Sequence, residues 1–376
     1  MLPGVDPSKL GSAPEGIFGL IDTFLGGAFS NASIFGLGIM PYISASIVLQ
    51  LLTVGVPYFQ KMQKDGESGR KRINQITRVL TIAITIAQGI GYITATILPT
   101  GAVMIDTSLF MFSSLVLLSA GTMFCMWLGE KITEKGIGNG ISMLIMIGII
   151  SRFPGALIAE GLEKGSSGML LLIIEALVLF FVVVGVIALT EATRRIPVQY
   201  AKQVVGGKVY GGQRQYIPIK VNASGVMPII FAQSLMFVPA LIAQIWAGES
   251  DIANYIGTTF SDFTSWQYNL LFATLIIVFT FFYTAITVPT NKMSDDLKRS
   301  GGFVPGIRPG NETSDFLDNV MSHITFPGSL FLAGLAVFPA IVVKLIGMQQ
   351  GWALFYGGTS LLIMVGVAID TIQQVN

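Results

Sequence analysis

Long apolar runs, separated by shorter polar or basic connections, dominate the hydropathy pattern of this chain. A helix of about 20 apolar residues is long enough to cross a bilayer core. The pattern therefore predicts membrane-spanning helices. The nine predicted spans are residues 32–53, 76–98, 108–128, 141–158, 169–190, 224–247, 269–288, 324–346 and 354–371.

The first run differs from a plain membrane anchor. Pro41 stands in its middle, small residues follow along it, and Ile39 and Ile43 share one helical face. We predict a kinked helix that borders a path through the protein, with a merely structural kinked helix as the alternative.

Before this run, Ile17 to Phe29 is apolar but too short to span. It predicts a re-entrant half helix hinged at Gly26 and Gly27, or an amphipathic helix at the interface.

Composition supports a polytopic helical membrane protein. The chain is 52% hydrophobic and only 11% charged, with a mean hydropathy of +0.71, whereas soluble domains carry about 25% charged residues. Cys125 is the single cysteine and His323 the single histidine, which argues against a disulfide, a metal site and histidine-based catalysis. No cofactor and no enzymatic activity are predicted.

Basic residues alternate between the two sides of the predicted spans. Of the 22 Lys and Arg residues, 18 lie in alternate connections, and only Lys9, Arg152, Lys164 and Lys344 lie on the other side. The positive-inside rule places the 18 in the cytosol. Residues 169–371 then form five spans that begin outside, and 32–158 form four. Inverted repeats predict a five-span partner half, so we expect one further span before residue 1.

Polar groups are scarce within the spans. Glu175 is the one carboxylate well inside a run. It is a substrate or proton site, or it faces a neighbouring helix or a partner, or it snorkels to the outer interface. Gln50, Gln88, Gln233 and Asn222 are expected to face the bundle interior, as packing contacts or as a polar seam that can open. The glycine-rich stretch 136–140 joins two spans and is interpreted as a tight turn.

Two cytosolic connections, residues 191–223 and 289–323, are long and combine basic, aromatic, Gly and Pro residues. Length and turn chemistry suggest a docking surface for a partner, and an anionic partner such as ribosomal RNA would be attracted by the charge.

Six stretches spread over the chain are distinctive: SIFGLGIMPYISASIVLQLLT (33–53), DGESGRKRINQITR (65–78), GTMFCMWLGEKITEKGIGNGIS (121–142), PIKVNASGVMPIIFA (218–232), LKRSGGFVPGIRPGNET (297–313) and FYGGTSLL (355–362). These stretches resemble the SecY family of protein-conducting channels. The family's first span and its basic C-terminal tail have no counterpart here. The resemblance implies an all-α polytopic fold of two inverted pseudosymmetric halves, five plus five spans in the family, around an hourglass pore with a plug half helix. The segments would be 1–31 (external, with the plug), 32–168 (N-terminal half) and 169–376 (C-terminal half, with the docking loops).

The resemblance also implies site residues. The apolar pore ring would comprise Ile39, Ile43, Ile145, Ile230 and Ile363, with Ser234 one turn beyond Ile230. The plug would comprise Ile17, Phe18, Leu20, Ile21, Phe24, Leu25, Gly26 and Gly27. The lateral gate would involve Ser44, Gln50, Gln88, Asn222 and Val238, with Gln50 and Asn222 in polar contact across it. Docking would use Arg194, Arg195, Lys202, Lys208, Arg299 and Arg308.

The implied function is a passive channel of the bacterial inner membrane that translocates unfolded secretory polypeptides and releases membrane spans laterally into lipid. Its implied partners are the subunits SecE and SecG, the SecA motor ATPase, the ribosome, signal peptides and nascent chains, and membrane lipids. Two other interpretations stay open: a small-solute secondary transporter built on inverted repeats, and an assembly scaffold without a conduit. The shortage of charge at mid-membrane favours the channel over the transporter.

Overall fold

A computed structural model of the chain describes residues 1–10, 22, 25–165, 168–200, 203–205, 208–210, 214–245, 255, 259–260 and 262–375. The predicted plug residues Ile17, Phe18, Leu20, Ile21 and Phe24, and the docking residue Lys202, lie outside this part.

The described part is mainly helical. Its α-helices are α1 (Met40–Gly55), α2 (Pro57–Lys64), α3 (Gly66–Tyr92), α4 (Thr107–Lys135), α5 (Gly140–Lys164), α6 (Met169–Glu191), α7 (Met227–Ile245), α8 (Trp266–Thr287), α9 (Thr290–Arg299), α10 (Asn311–Ile346), α11 (Gln350–Ala353) and α12 (Gly358–Val375). An α-helix overlaps each of the nine predicted apolar runs.

Length and hydropathy give a more conservative count of spans. Within the described residues, six helices are long and apolar enough to cross a membrane. A seventh is obtained if α1 and the following helix, bent by 102° at Val56, are counted as one broken span. The total of nine therefore stays a prediction.

The start of the first run differs from its prediction. Residues 33–39 form turns, and the helix begins only at Met40, so Pro41 lies in its first turn instead of its middle. The first turn of a helix has no intrahelical partner for its N–H groups, so a proline is tolerated there. The predicted mid-helix kink at Pro41 is wrong, and the bend lies at the helix end, before Pro57.

Local sequence explains how α4 ends and α5 begins. Asn139 ends the predicted tight turn, and its side-chain oxygen accepts hydrogen bonds from the backbone N–H groups of Ile141 (3.1 Å) and Ser142 (3.3 Å), which caps α5. Gly140 is needed where α4 and α5 meet, because a Cβ there would lie 2.1 Å from the carbonyl oxygen of Gly129. The helical hairpin α4–α5 therefore depends on this glycine.

The helices pack in two groups. In the first, α1 contacts α3, α3 contacts α4, and α4 contacts α5; in the second, α8 lies between α7 and α10, and α12 contacts α6 and α10. The groups meet where α5 packs on α12 and where α1 packs on α7. An apolar cluster lies between them and includes residues of α1, α5, α7 and α12.

The first of the two long connections, residues 191–223, contains a sheet, which the all-helical prediction missed. Strands β1 (Thr193–Tyr200) and β4 (Arg214–Lys220) pair antiparallel, β5 (Gly302–Phe303) adds to β1, and β2 (Gln203–Val205) pairs with β3 (Lys208–Tyr210). Ile196, Val198 and Ile219 point inward and pack with Leu297 of α9 and Leu317 of α10. This alternation of apolar residues was the available sequence signal. Both long connections thus belong to one folded unit.

Candidate functional site: an apolar cavity between two helix groups

A cavity of about 400 Å³ lies where the two helix groups meet. All six residues of the predicted pore ring line it. The complete lining consists of Leu25, Ile39, Met40, Ile43, Ile145, Ile230, Gln233, Ser234, Thr359 and Ile363. The predicted ring residues, which are up to 324 positions apart in the sequence (39 to 363), are thus brought together around one space.

Four helices and one preceding turn position these side chains. Ile39 is the residue before α1 and Ile43 follows one turn later, so both face the cavity. Ile230 and Ser234 have the same spacing on α7, while Ile145 comes from α5 and Ile363 from α12. Ile39, Ile43, Ile145 and Ile363 are buried, with at most 9% of their surface exposed. The cavity wall is therefore made of branched aliphatic side chains that several elements contribute.

Three polar residues interrupt this apolar wall: Gln233, Ser234 and Thr359. Ser234 was predicted for this site, whereas Gln233 was predicted only to face the bundle interior. Gln233 and Thr359 also line a second cavity between α7, α8, α10 and α12. These two residues therefore separate the two spaces.

The described end of the predicted plug lies against the cavity. Leu25 is part of its lining. Gly26 and Gly27 have φ angles of +62° and +89°, and a Cβ on Gly26 would lie 2.8 Å from the Ser151 hydroxyl of α5. Both glycines are thus needed for the backbone conformation and for close contact with α5.

An ion pair where the segment 25–30 meets α5 was not predicted from the sequence. Asp22 is fully buried and pairs with Arg152 of α5. The same carboxylate accepts hydrogen bonds from the Ser30 backbone N–H (2.9 Å) and hydroxyl (3.0 Å). The available signal was one acidic residue in an apolar half helix and one arginine in an apolar run.

The lateral-gate residues lie on the expected helices, but the predicted polar contact is absent. Ser44 and Gln50 are on α1 and Gln88 on α3; for Val238 only the backbone, in α7, is described. Within the described residues, no hydrogen bond joins Gln50 to Asn222. The Asn222 side-chain oxygen instead accepts a hydrogen bond from the Ser224 hydroxyl (3.3 Å), because both residues lie in the turn that precedes α7.

The arginines predicted for docking lie in the folded unit that the two long connections form. Arg194 and Arg195 are exposed on β1, and Arg299 is exposed at the end of α9. Arg308 has 88% of its side chain exposed, and its nearest acidic partner, Glu312, lies 3.8 Å away. Lys208 is in β3, where only the backbone is described. The four described arginine side chains are thus free to meet a partner.

Glu175 faces a neighbouring helix, which was one of the interpretations of this residue. It is buried on α6 and pairs with Lys164 of α5, which also contacts buried Glu160 at 2.6 Å. The other Glu160 oxygen accepts a hydrogen bond from the Gln349 backbone N–H (3.0 Å). One ammonium thus balances two buried carboxylates where α5 meets α6.

The long apolar helices, their apolar outer faces and the cavity between the two groups define a multi-pass membrane protein of the channel type. The family model of SecY matches residues 33–372. The chain therefore belongs to the SecY family and is a protein-conducting translocation channel. The protein translocase subunit SecY of Streptomyces galbus is 42% identical over 398 aligned positions, which cover 100% of this chain and 89% of that protein.

Solved structures show the same fold. A protein-conducting channel superposes with a TM-score of 0.69 at 19% identity, covering 99% of this chain and 87% of that one. Sec61 in a canine ribosome–channel complex gives 0.63 at 20% identity, with 99% and 87% covered. At this identity the likeness concerns the fold.

Proposed function

We propose that the apolar cavity is the constriction through which unfolded secretory polypeptides cross the bacterial inner membrane. One observation carries this proposal: six residues named from the sequence as a pore ring, on four helices and one turn, line a single space. The segment that contains Leu25 lies against the same space, as a plug would in the closed channel.

The physical properties of the ring suit a passive conduit. Isoleucine side chains present no hydrogen-bonding group, so a narrow gap between them resists wetting and ion flow. Their side chains and the helices that carry them can separate around a translocating chain. The proposed role needs no bond making or breaking, so we assign no enzymatic activity, and the energy comes from a partner.

Lateral release would use the contact between α1 and α7. In this proposal residues 32–168 and 169–376 are the two halves, and Ser44, Gln50, Gln88, Asn222 and Val238 border the seam between them. A signal peptide or a membrane span of the nascent chain would leave through it into lipid. Transfer of apolar surface out of water, at roughly 25 cal/mol per Å², drives this step.

The cytosolic unit would bind the partners that supply the chain. The related Sec61 structure is of a ribosome–channel complex, and the exposed Arg194, Arg195, Arg299 and Arg308 suit anionic ribosomal RNA. Lys202 and Lys208 belong to the same proposed surface, which the SecA motor ATPase would share. SecE and SecG would pack against the outer faces of the helices, beside membrane lipids.

Ion leak through purified protein in liposomes tests the constriction. Ile39→Asn and Ile230→Asn should each raise the leak, because an amide in the ring stabilises water there. Ile39→Leu, which stays apolar, is the matched control and should remain tight. Unchanged conductance in both Asn variants would remove the ring from the mechanism, and gradient-driven uptake of a small solute by the unaltered protein would favour a transporter.

A further inference from the structure

One face of α5 leads from the cavity towards the outer side of the membrane. Ile145, Ile149 and Arg152 follow at spacings of four and three residues, so they share this face. Ile145 lines the cavity and Ile149 belongs to the same apolar cluster. Seven residues of helix correspond to about 10 Å. Arg152 therefore stands just outside the constriction, on the side where the plug segment lies.

In the described structure this arginine is paired. Asp22 binds it, and Asp22 is held in turn by the backbone N–H and hydroxyl of Ser30. Gly27 lies so close that a Cβ there would be 3.0 Å from the central guanidinium carbon of Arg152. The segment that contains Gly27 and Ser30 is thus attached to α5 through the ion pair.

Breaking this ion pair is costly in free energy, because one of its partners is buried. Asp22 is inaccessible to solvent, while 34% of the Arg152 side chain is exposed. A buried carboxylate without its cation is strongly unfavourable. Within the described residues, the acidic partner of Arg152 is Asp22, which belongs to the predicted plug and not to a neighbouring membrane-spanning helix, so neutralisation of the arginine depends on the position of that residue. A charge in a membrane-embedded position points to the transport path.

We propose that Arg152 is a charge-selective element of the conduit and that Asp22 is its counter-ion in the closed state. With Asp22 in place the charge is neutralised and the plug segment is held against α5. When this segment withdraws, Arg152 presents an unpaired positive charge beside the path. It then slows passing segments rich in Lys and Arg relative to acidic ones. This inference rests on the proposed conduit.

Closed-state leak tests the counter-ion role. Asp22→Asn and Arg152→Gln in the full chain should each raise ion leak several-fold, and the exchange of Asp22→Arg with Arg152→Asp should restore tightness. Lys344→Gln, which removes another basic residue of the outer side, is the matched control. Heat-induced labelling of Cys125 verifies that each variant is folded. Single variants as tight as the unaltered protein, or an exchange variant that leaks as they do, would overturn the proposal.

Ion selectivity tests the second role. In channels opened by Ile39→Asn together with Asp22→Asn, a KCl gradient should give a reversal potential that favours anions. Adding Arg152→Gln should abolish this preference, and Arg152→Asp should reverse it. The same reversal potential in the channels with Arg, Gln and Asp at position 152 would refute charge selection while leaving the conduit intact. No conductance even with Ile39→Asn alone would refute the conduit itself, and this inference with it.

Discussion

The buried charge cluster between α5 and α6 gives the sharpest stability prediction. Within the described residues, Lys164 is the one cation paired with Glu160 and Glu175, each of which is only 1% exposed. Lys164→Met would leave two carboxylates close together without a cation. Breaking a buried ion pair by removing one partner costs about 3–5 kcal/mol. At about 1.4 kcal/mol per tenfold, the folding equilibrium should fall by roughly two to three and a half powers of ten.

The single cysteine of the chain can report on the unfolding midpoint. Cys125, the single cysteine, is partly buried in α4, so a thiol-reactive fluorogenic dye labels it as the protein unfolds. Thermal or denaturant titration in detergent should give a much lower midpoint for Lys164→Met. Lys131→Met is the control, since Lys131 and Glu134 form an exposed pair that contributes little.

A triple variant separates charge from packing. Lys164→Met combined with Glu160→Gln and Glu175→Gln removes every charge of the cluster, and most of the lost stability should return because no uncompensated charge stays buried. If Lys164→Met lowers the midpoint no more than Lys131→Met, the electrostatic reasoning is refuted. If the triple variant is as unstable as the single one, packing of the lysine stem dominates instead.

Two further predictions concern the α4–α5 hairpin and the docking surface. Gly140→Ala should destabilise the protein strongly, because its Cβ would meet the Gly129 carbonyl, whereas Gly155→Ala on the same helix meets nothing within 4 Å and should be tolerated; equal unfolding midpoints would contradict this. Arg308→Glu should slow SecA-driven translocation about tenfold, equivalent to about 1.4 kcal/mol, with an unchanged unfolding midpoint since the side chain is exposed. Normal translocation would exclude this arginine from docking.

Local patterns in the sequence were sufficient for several features. Apolar runs predict the helices, because each run must bury or face lipid along its whole length. The orientation that the charge asymmetry indicates stays a prediction. The full set of ring residues was predicted from the family resemblance. Spacing alone predicts only that pairs such as Ile39 and Ile43 share one helical face. The prediction for Pro41 failed because a turn and an early helix position are equally compatible with that stretch of sequence.

Tertiary structure decided which distant residues meet. Arg152 and its partner Ser30 are separated by 122 positions, and Glu160 and its partner Gln349 by 189. No periodicity encodes such pairs, because hydrophobic patterning specifies which face of a helix is buried but not which helix covers it. The chain itself determined a multi-pass helical protein with an apolar, nearly charge-free interior. Only the packing of the helices decided that the few buried charged residues pair with one another and that the isoleucines of the predicted ring line one cavity.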